Sequence, residues 1–303
     1  MTQDTALLPV LTIGGYLGSG KTTLVNHLLR NADGRRLAVL VNEFGDLPID
    51  EDLIEAEDDS LISIAGGCIC CSFGNDLLGA LTSMTQMSPP PDTVIIESSG
   101  VAIPGAIVAS LSLLPGLTSD GIVVVVDAET VRKAALDEYI GDTILRQISD
   151  AECIIINKLD LVSEETAQQV ADWITEAAPA AIQIPTQHGQ VLPDALLGLI
   201  TSPGTGQNAA HSDSLFESLV LIPTGPVNAE ALAKSLTKGS LGVIRAKGFV
   251  TDADNQPWLI QTVGKRWSVQ RTNDMSALGV ICLGFQGRLD RAFLSKEFRV
   301  TPD

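Results

Sequence analysis

Between Gly15 and Thr22 the sequence reads G-x-x-x-x-G-K-T, the spacing of a loop built to wrap phosphate. Glycines admit positive φ and let the backbone approach phosphate oxygens closely. Successive N–H groups then ring the anion, and the helix behind them adds its positive dipole end. Gly15, Gly18, Ser19, Gly20, Lys21, Thr22 and Thr23 are the candidate contacts. In such a loop Lys21 reaches the β- and γ-phosphates and the Thr22 hydroxyl ligates Mg²⁺.

Three further groupings could do chemistry. Asn157-Lys158-Leu159-Asp160 matches N-K-x-D, some 135 residues after Thr22. A carboxylate at Asp160 accepts from both N1–H and the exocyclic amine of guanine, and adenine lacks that donor pair. Lys158 would pack its stem along the base, so the expected nucleotide is GTP. Glu97-x-x-Gly100 stands where nucleotide hydrolases keep the acid that holds the Mg²⁺ water shell, with the glycine N–H near the γ-phosphate. Val101 follows, where some GTPases have a water-positioning glutamine, which implies slow intrinsic turnover. The third grouping is Cys68-Ile69-Cys70-Cys71. Thiolates are soft donors suited to Zn²⁺, Co²⁺ or Cu(I). Three of them leave one tetrahedral position for Glu43 or a water. Buried apolar packing and a redox pair are the alternatives for these cysteines.

The elements that must position these groups are readable from periodicity. Val10–Ile13 is a short β-branched run before the glycines, and Leu24, Val25, Leu28 and Leu29 follow at helical spacing. Strands are expected at 37–41, 61–64, 93–96, 122–126, 153–156 and 182–184, and helices at 75–84, from Pro104, through Val170 and Trp173, and near 192–200. Each polar motif falls just past the carboxyl end of a strand, where open α/β sheets bind ligands. Residues 201–214 are small and polar and read as a linker. Beyond them come strands at 219–222, 242–250, 258–263, 267–270 and 280–283, with helices at 229–236 and 290–298. The expected architecture is a P-loop α/β domain over 8–200, with a mostly parallel sheet flanked by helices. A small antiparallel α+β domain over 215–303 follows.

Charge narrows the partners. Against 19 Lys and Arg stand 37 Asp and Glu, a formal net charge of -18. Such a surface repels nucleic acid and anionic membrane and suits cations or a basic protein. The acidic run from Asp50 to Asp59 is read as a solvated loop, with metal recruitment as the sharper alternative. The start lacks a basic n-region, and Ile122–Val126 is far too short to span a bilayer, so a cytoplasmic protein is expected. Cys153 and Cys282 sit in apolar runs and read as core. His27, His188 and His211 are scattered, and none is taken as a metal ligand.

The order of these motifs resembles that of the CobW-like GTPases, relatives of the nickel-insertion GTPases of urease and hydrogenase. The resemblance rests on Gly14–Thr23, Asn42-Glu43-Phe44-Gly45, Gly67-Cys68-Ile69-Cys70-Cys71, Glu97-Ser98-Ser99-Gly100 and Asn157–Asp160. It continues in the C-terminal part at Arg245–Val250 and Leu283-Gly284. It implies a metallochaperone or metal insertase that couples GTP binding and hydrolysis to delivery of a transition metal, Zn²⁺ or Co²⁺, to a client metalloprotein. The metal would sit at Cys68, Cys70 and Cys71, close to the nucleotide. A metal-sensing activator with hydrolysis as a slow timer is the alternative, and a redox-regulated NTPase is a third reading. The histidine-rich stretch that many members carry near the linker is absent, His211 being the one histidine there.

Overall fold

A computed structural model of the protein describes residues 7–32, 34–42, 62–66, 75–197, 216–272 and 278–301. Internal contacts divide the described residues into two units, one spanning Leu7–Leu197 and the other those from Phe216 onward.

The first unit alternates strand and helix: β1 (Leu8–Gly14), α1 (Lys21–Arg30), β2 (Leu37–Asn42), β3 (Ile62–Gly66), α2 (Asn75–Thr85), β4 (Thr93–Glu97), α3 (Pro104–Leu111), β5 (Leu117–Asp127), α4 (Val131–Ala134), α5 (Gly141–Asp150), β6 (Cys153–Asn157), α6 (Glu164–Ala177), β7 (Ile182–Pro185) and α7 (Pro193–Leu196). Among the described residues its strands form one sheet in the order β3-β2-β4-β1-β5-β6-β7. Every pairing is parallel. The continuous apolar runs explain this. β4 and β6 are buried along their whole length, as strands covered on both faces must be. Val10, Ala38, Leu40, Val94 and Ile96 meet Leu81 and Met84 of α2 and Ile107 of α3 in one core. Val124, Val126, Ile154 and Ile156 meet Ile144 and Ile148 of α5 and Val170 and Ile174 of α6 in another. Local chemistry sets helix ends. The Ser163 hydroxyl caps α6 by accepting from Thr166 N–H, and Glu164 and Glu165 face the positive end of its dipole.

The second unit holds β8 (Phe216–Pro223), α8 (Ala229–Leu236), β9 (Val243–Thr251), β10 (Pro257–Val263), β11 (Arg266–Arg271), β12 (Gly279–Phe285), α9 (Arg291–Glu297) and β13 (Phe298–Thr301). Its sheet is antiparallel, in the order β11-β10-β9-β12-β8-β13. Leu232, Ala233 and Leu236 of α8 and Leu294 of α9 pack on Leu219, Leu221, Ala246, Val250 and Ile260. Glu217 braces the turn into α9. Burial works against its charge, yet the Leu289 N–H and the Arg291 guanidinium, 3.1 and 3.0 Å away, hold its carboxyl below the usual range.

Three local expectations are corrected. The stretch between β5 and β6, which periodicity left without an element, carries α4 and α5. The helix placed near 192–200 is, within the described residues, a single turn at Pro193–Leu196. The closing helix stops at Glu297, and Phe298–Thr301 pairs with β8 as an added strand. Cys153 and Cys282 are buried as expected, and burial pushes the Cys282 thiol pKa up. No helix among the described residues is long and apolar enough to cross a membrane.

Candidate functional site

β1 is a central strand, flanked by β4 and β5. The chain leaves it through three left-handed glycines, Gly15 (φ 135), Gly18 (φ 73) and Gly20 (φ 103). A side chain at Gly15 would strike the Val125 carbonyl of β5, so the loop must hug the sheet. α1 then begins at Lys21 with no side-chain cap and no acidic residue in its first turn. Its positive end is left for an anion. Lys21 is buried, and its Nζ lies 3.5 Å from the Tyr16 carbonyl, so the ammonium spans the loop. The Thr22 hydroxyl donates to Oε1 of Glu97 at 2.8 Å. Glu97, 3 % exposed, ends β4 in register with Ile13 and Val41. A neutral hydroxyl and a carboxylate so placed are hard oxygen donors of the kind Mg²⁺ takes. Gly100 packs against the loop: a Cβ there would sit 2.8 Å from the Leu17 backbone nitrogen.

At the end of β6 the geometry refines what spacing suggested. Asn157 is 2 % exposed, and its amide is engaged by the protein at both ends. Nδ2 donates to Ser19 O at 3.0 Å, and Oδ1 accepts from Gly189 N–H at 3.0 Å. It therefore ties the phosphate loop to the loop after β7. Lys158 takes a left-handed backbone, φ 62, and its Nζ pairs with Asp127 Oδ2 at 2.8 Å. That pair stretches the lysine stem along the end of the sheet. Asp160 follows in a short 3₁₀ turn with its side chain 29 % exposed.

The loop after β7 escaped the sequence reading. Thr186 N–H donates to Ile156 O, and Leu159 N–H donates to Thr186 O, at 2.8 and 3.3 Å. His27 Nε2 bonds to Val191 O at 2.9 Å, from the helix behind the phosphate loop. His188 (φ 55) and Gly189 (φ 64) turn left-handed in succession, bringing His188 Nε2 to 4.0 Å from Asp160 Oδ2. The one local signal was Gly189, whose Cβ would press on the backbone of Leu24.

The family profile described as the CobW/HypB/UreG nucleotide-binding domain matches residues 9–185, and the cobW C-terminal domain profile matches 216–298. The chain belongs to the CobW/HypB/UreG family. It is a P-loop GTPase. A Sinorhizobium protein named zinc chaperone CobW is 31 % identical over 86 % of this chain and 86 % of its own. A Pseudomonas aeruginosa protein of the same name is 28 % identical over 86 % and 82 %. The zinc-regulated GTPase metalloprotein activator 1 of Schizosaccharomyces pombe is 34 % identical over 61 % of this chain and 47 % of its own length.

For this GTPase the residues present fit the nucleotide and its Mg²⁺. Lys21, Thr22 and Glu97 lie together at the loop after β1, where a phosphate and Mg²⁺ would sit, and Lys158 and Asp160 follow β6, where a base would sit. Cys68, Cys70, Cys71 and Glu43 lie outside the described residues. Among the described residues no cluster of three His, Cys, Asp or Glu could hold a metal.

Gly20 offers a direct check. Its φ of 103 disfavours any side chain, and a Cβ would land on Asn157 Nδ2. Asn157 cannot yield without releasing Ser19 and Gly189. Gly20→Ala is expected to lower unfolding stability by about 1–3 kcal/mol and to weaken nucleotide binding. Denaturant unfolding and nucleotide titration on the same preparation measure both.

Proposed function

We propose that this GTPase is a metallochaperone that binds a transition metal, zinc foremost with cobalt as the second candidate. It would deliver the metal to a client metalloprotein under control of its nucleotide state. The observation that carries the reading is topological. β3 leaves the sheet at Gly66, in register with Asn42 on β2, one position past Val41, which pairs with Glu97. With strands ~4.8 Å apart, Gly66 stands about 10 Å across the sheet from Glu97. Cys68 follows Gly66 by two residues, and Glu43 follows Asn42 directly. In sequence the thiols thus follow a strand whose last residue, Gly66, lies at the same carboxyl edge of the sheet as Glu97. The relatives named as zinc chaperones support the choice of metal. Thiols kept for a metal cargo also suit the reducing cytoplasm.

In this reading water attacks the γ-phosphate in line. Lys21 and the N–H groups of residues 18–23 neutralise the charge that develops there. Thr22 and Glu97 would hold Mg²⁺ and its water, and the ion when bound would supply positive charge to the phosphates. Gly100 N–H faces the γ-phosphate. The cargo is held by Cys68, Cys70 and Cys71, with Glu43 or water completing four ligands. If nucleotide state changes metal affinity, bound metal changes nucleotide affinity by the same factor.

Calorimetry of a non-hydrolysable GTP analogue, with and without Zn²⁺, tests the coupling, and equal affinities would end it. Cys70→Ala is expected to weaken Zn²⁺ binding by more than about 100-fold, beyond what an outer-shell partner contributes. A variant that keeps tight binding would move the site elsewhere. Val101 favours a second reading, a metal-sensing activator whose hydrolysis is a slow timer. It is 42 % exposed where a water-positioning glutamine would stand. Turnover with and without candidate clients separates the two readings.

A further inference from the structure

We propose that Gln147 is a positioning residue for the γ-phosphate step, acting through Gly100. The inference rests on Gly100 as the backbone donor to the γ-phosphate. Gln147 lies on α5 and is 1 % exposed. Its Nε2 donates to Gly100 O at 3.0 Å and to Ala102 O at 2.8 Å. Both hydrogens of the amide are therefore engaged on one segment 45–47 residues earlier in the chain. Asp150, one turn further along α5, accepts from Gly105 N–H at 3.0 Å. Gly105 lies in the first turn of α3, which has no side-chain cap and no acidic residue of its own there. One helix thus holds the backbone after Glu97 at three points.

These contacts determine where the Gly100 N–H aims. The Ser99 carbonyl and the Gly100 N–H belong to one planar peptide unit and point in opposite directions. Ser99 O accepts from Ala102 N–H at 3.0 Å, and Ala102 is itself held through its carbonyl by Gln147. With Ala102 fixed, the Ser99 carbonyl is fixed, and the Gly100 N–H is fixed the other way. On its other side Gly100 abuts Leu17 of the phosphate loop. The donor is gripped between that loop and α5, so its direction is set before nucleotide arrives.

A glutamine is what this post requires. Two buried carbonyls need two donors from a neutral group. Leucine supplies none, and a carboxylate would set oxygen against oxygen. The diphosphate does not reach Gly100, so the consequence is selective. Gln147 variants lose recognition of the third phosphate and keep recognition of the rest.

The test compares fluorescent GDP with a non-hydrolysable GTP analogue, alongside kcat, KM and thermal unfolding. For Gln147→Glu, which keeps the shape and removes the donors, GDP affinity is expected to stay within about twofold. Triphosphate affinity should fall about 10-fold and kcat about 100-fold. Asp150→Ala, which leaves no new buried polar group on α5, should show the same selectivity at about threefold. If Gln147→Glu does not fold, Gln147→Met, which removes the same two donors without adding a charge, decides the matter. Equal losses for GDP and the triphosphate, or an unchanged ratio with a lowered Tm, would reduce Gln147 to a structural brace and overturn the proposal. Gly100→Pro, which removes the N–H itself, is the control on the underlying reading. If it leaves triphosphate preference intact, Gly100 is not the donor. If it abolishes the preference while both α5 variants retain it, the reading of Gly100 stands and the role of Gln147 falls.

Discussion

Asp160→Asn is expected to change which base the site accepts. Guanine offers N1–H and the C2 amine to one carboxylate, two charge-assisted bonds to the same group. An asparagine amide keeps one acceptor and turns a donor toward the C2 amine, so donor meets donor. Xanthine carries a carbonyl at C2 and restores the match. Sites built to pair a polar group discriminate strongly against a ligand that leaves it unpaired. GTP affinity should therefore fall by about 10³-fold, and xanthosine triphosphate should become the better substrate. The surroundings favour a clean exchange. The turn that carries Asp160 is held by backbone, through Leu159 N–H on Thr186 O at 3.3 Å. Lys158 beside it is pinned to Asp127. Among the described residues no bond from the Asp160 side chain supports the turn, and His188 Nε2 lies 4.0 Å away. Competition of both triphosphates against fluorescent GDP reads the result, and an unchanged preference for GTP would remove Asp160 from the base site.

How far the sequence alone reached depended on whether chemistry and position coincided. The phosphate loop was legible because its glycines, lysine and threonine carry their roles in their types, and a strand and a helix flank them within a few residues. The antiparallel domain was legible from alternation, because Leu219, Leu221, Ala246, Val250 and Ile260 all point to one helix-covered face. What escaped was non-local. Phe298 looks like the end of a helix until β8 is present to pair with Phe298–Thr301. α5 was passed over because α4 before it is a single turn and α5 itself opens on Gly141, a poor helix former. Even a correct helix there would not have singled out Gln147, whose partners are carbonyls, invisible to residue type. Asn157 shows the same limit from the other side. Spacing found the residue, but its bonds to Ser19 and Gly189, 138 and 32 residues away, assign it to joining two loops.

Lys21→Ala is expected to be the most damaging single change to turnover. Lys21 is the one side chain of the phosphate loop with a full positive charge. Its ammonium is placed across the loop against the Tyr16 carbonyl, where the β- and γ-phosphates would lie. At 9 % exposure it is largely withdrawn from water, so its attraction to phosphate is weakly screened. Preorganised donors of this kind are each worth about 10²–10³ in rate, and a cation on the transferring phosphoryl group more. A fall of about 10³-fold or more in kcat/KM follows. The fold should survive, since Ala is the best helix former and Lys21 opens α1. That separation makes the variant useful beyond the nucleotide site. With no nucleotide present it should bind Zn²⁺ as the unaltered protein does. On adding the GTP analogue, the unaltered protein should shift its Zn²⁺ affinity and Lys21→Ala should not. If the metal affinity of the variant still responds to nucleotide, the control on the cargo does not pass through the phosphate loop.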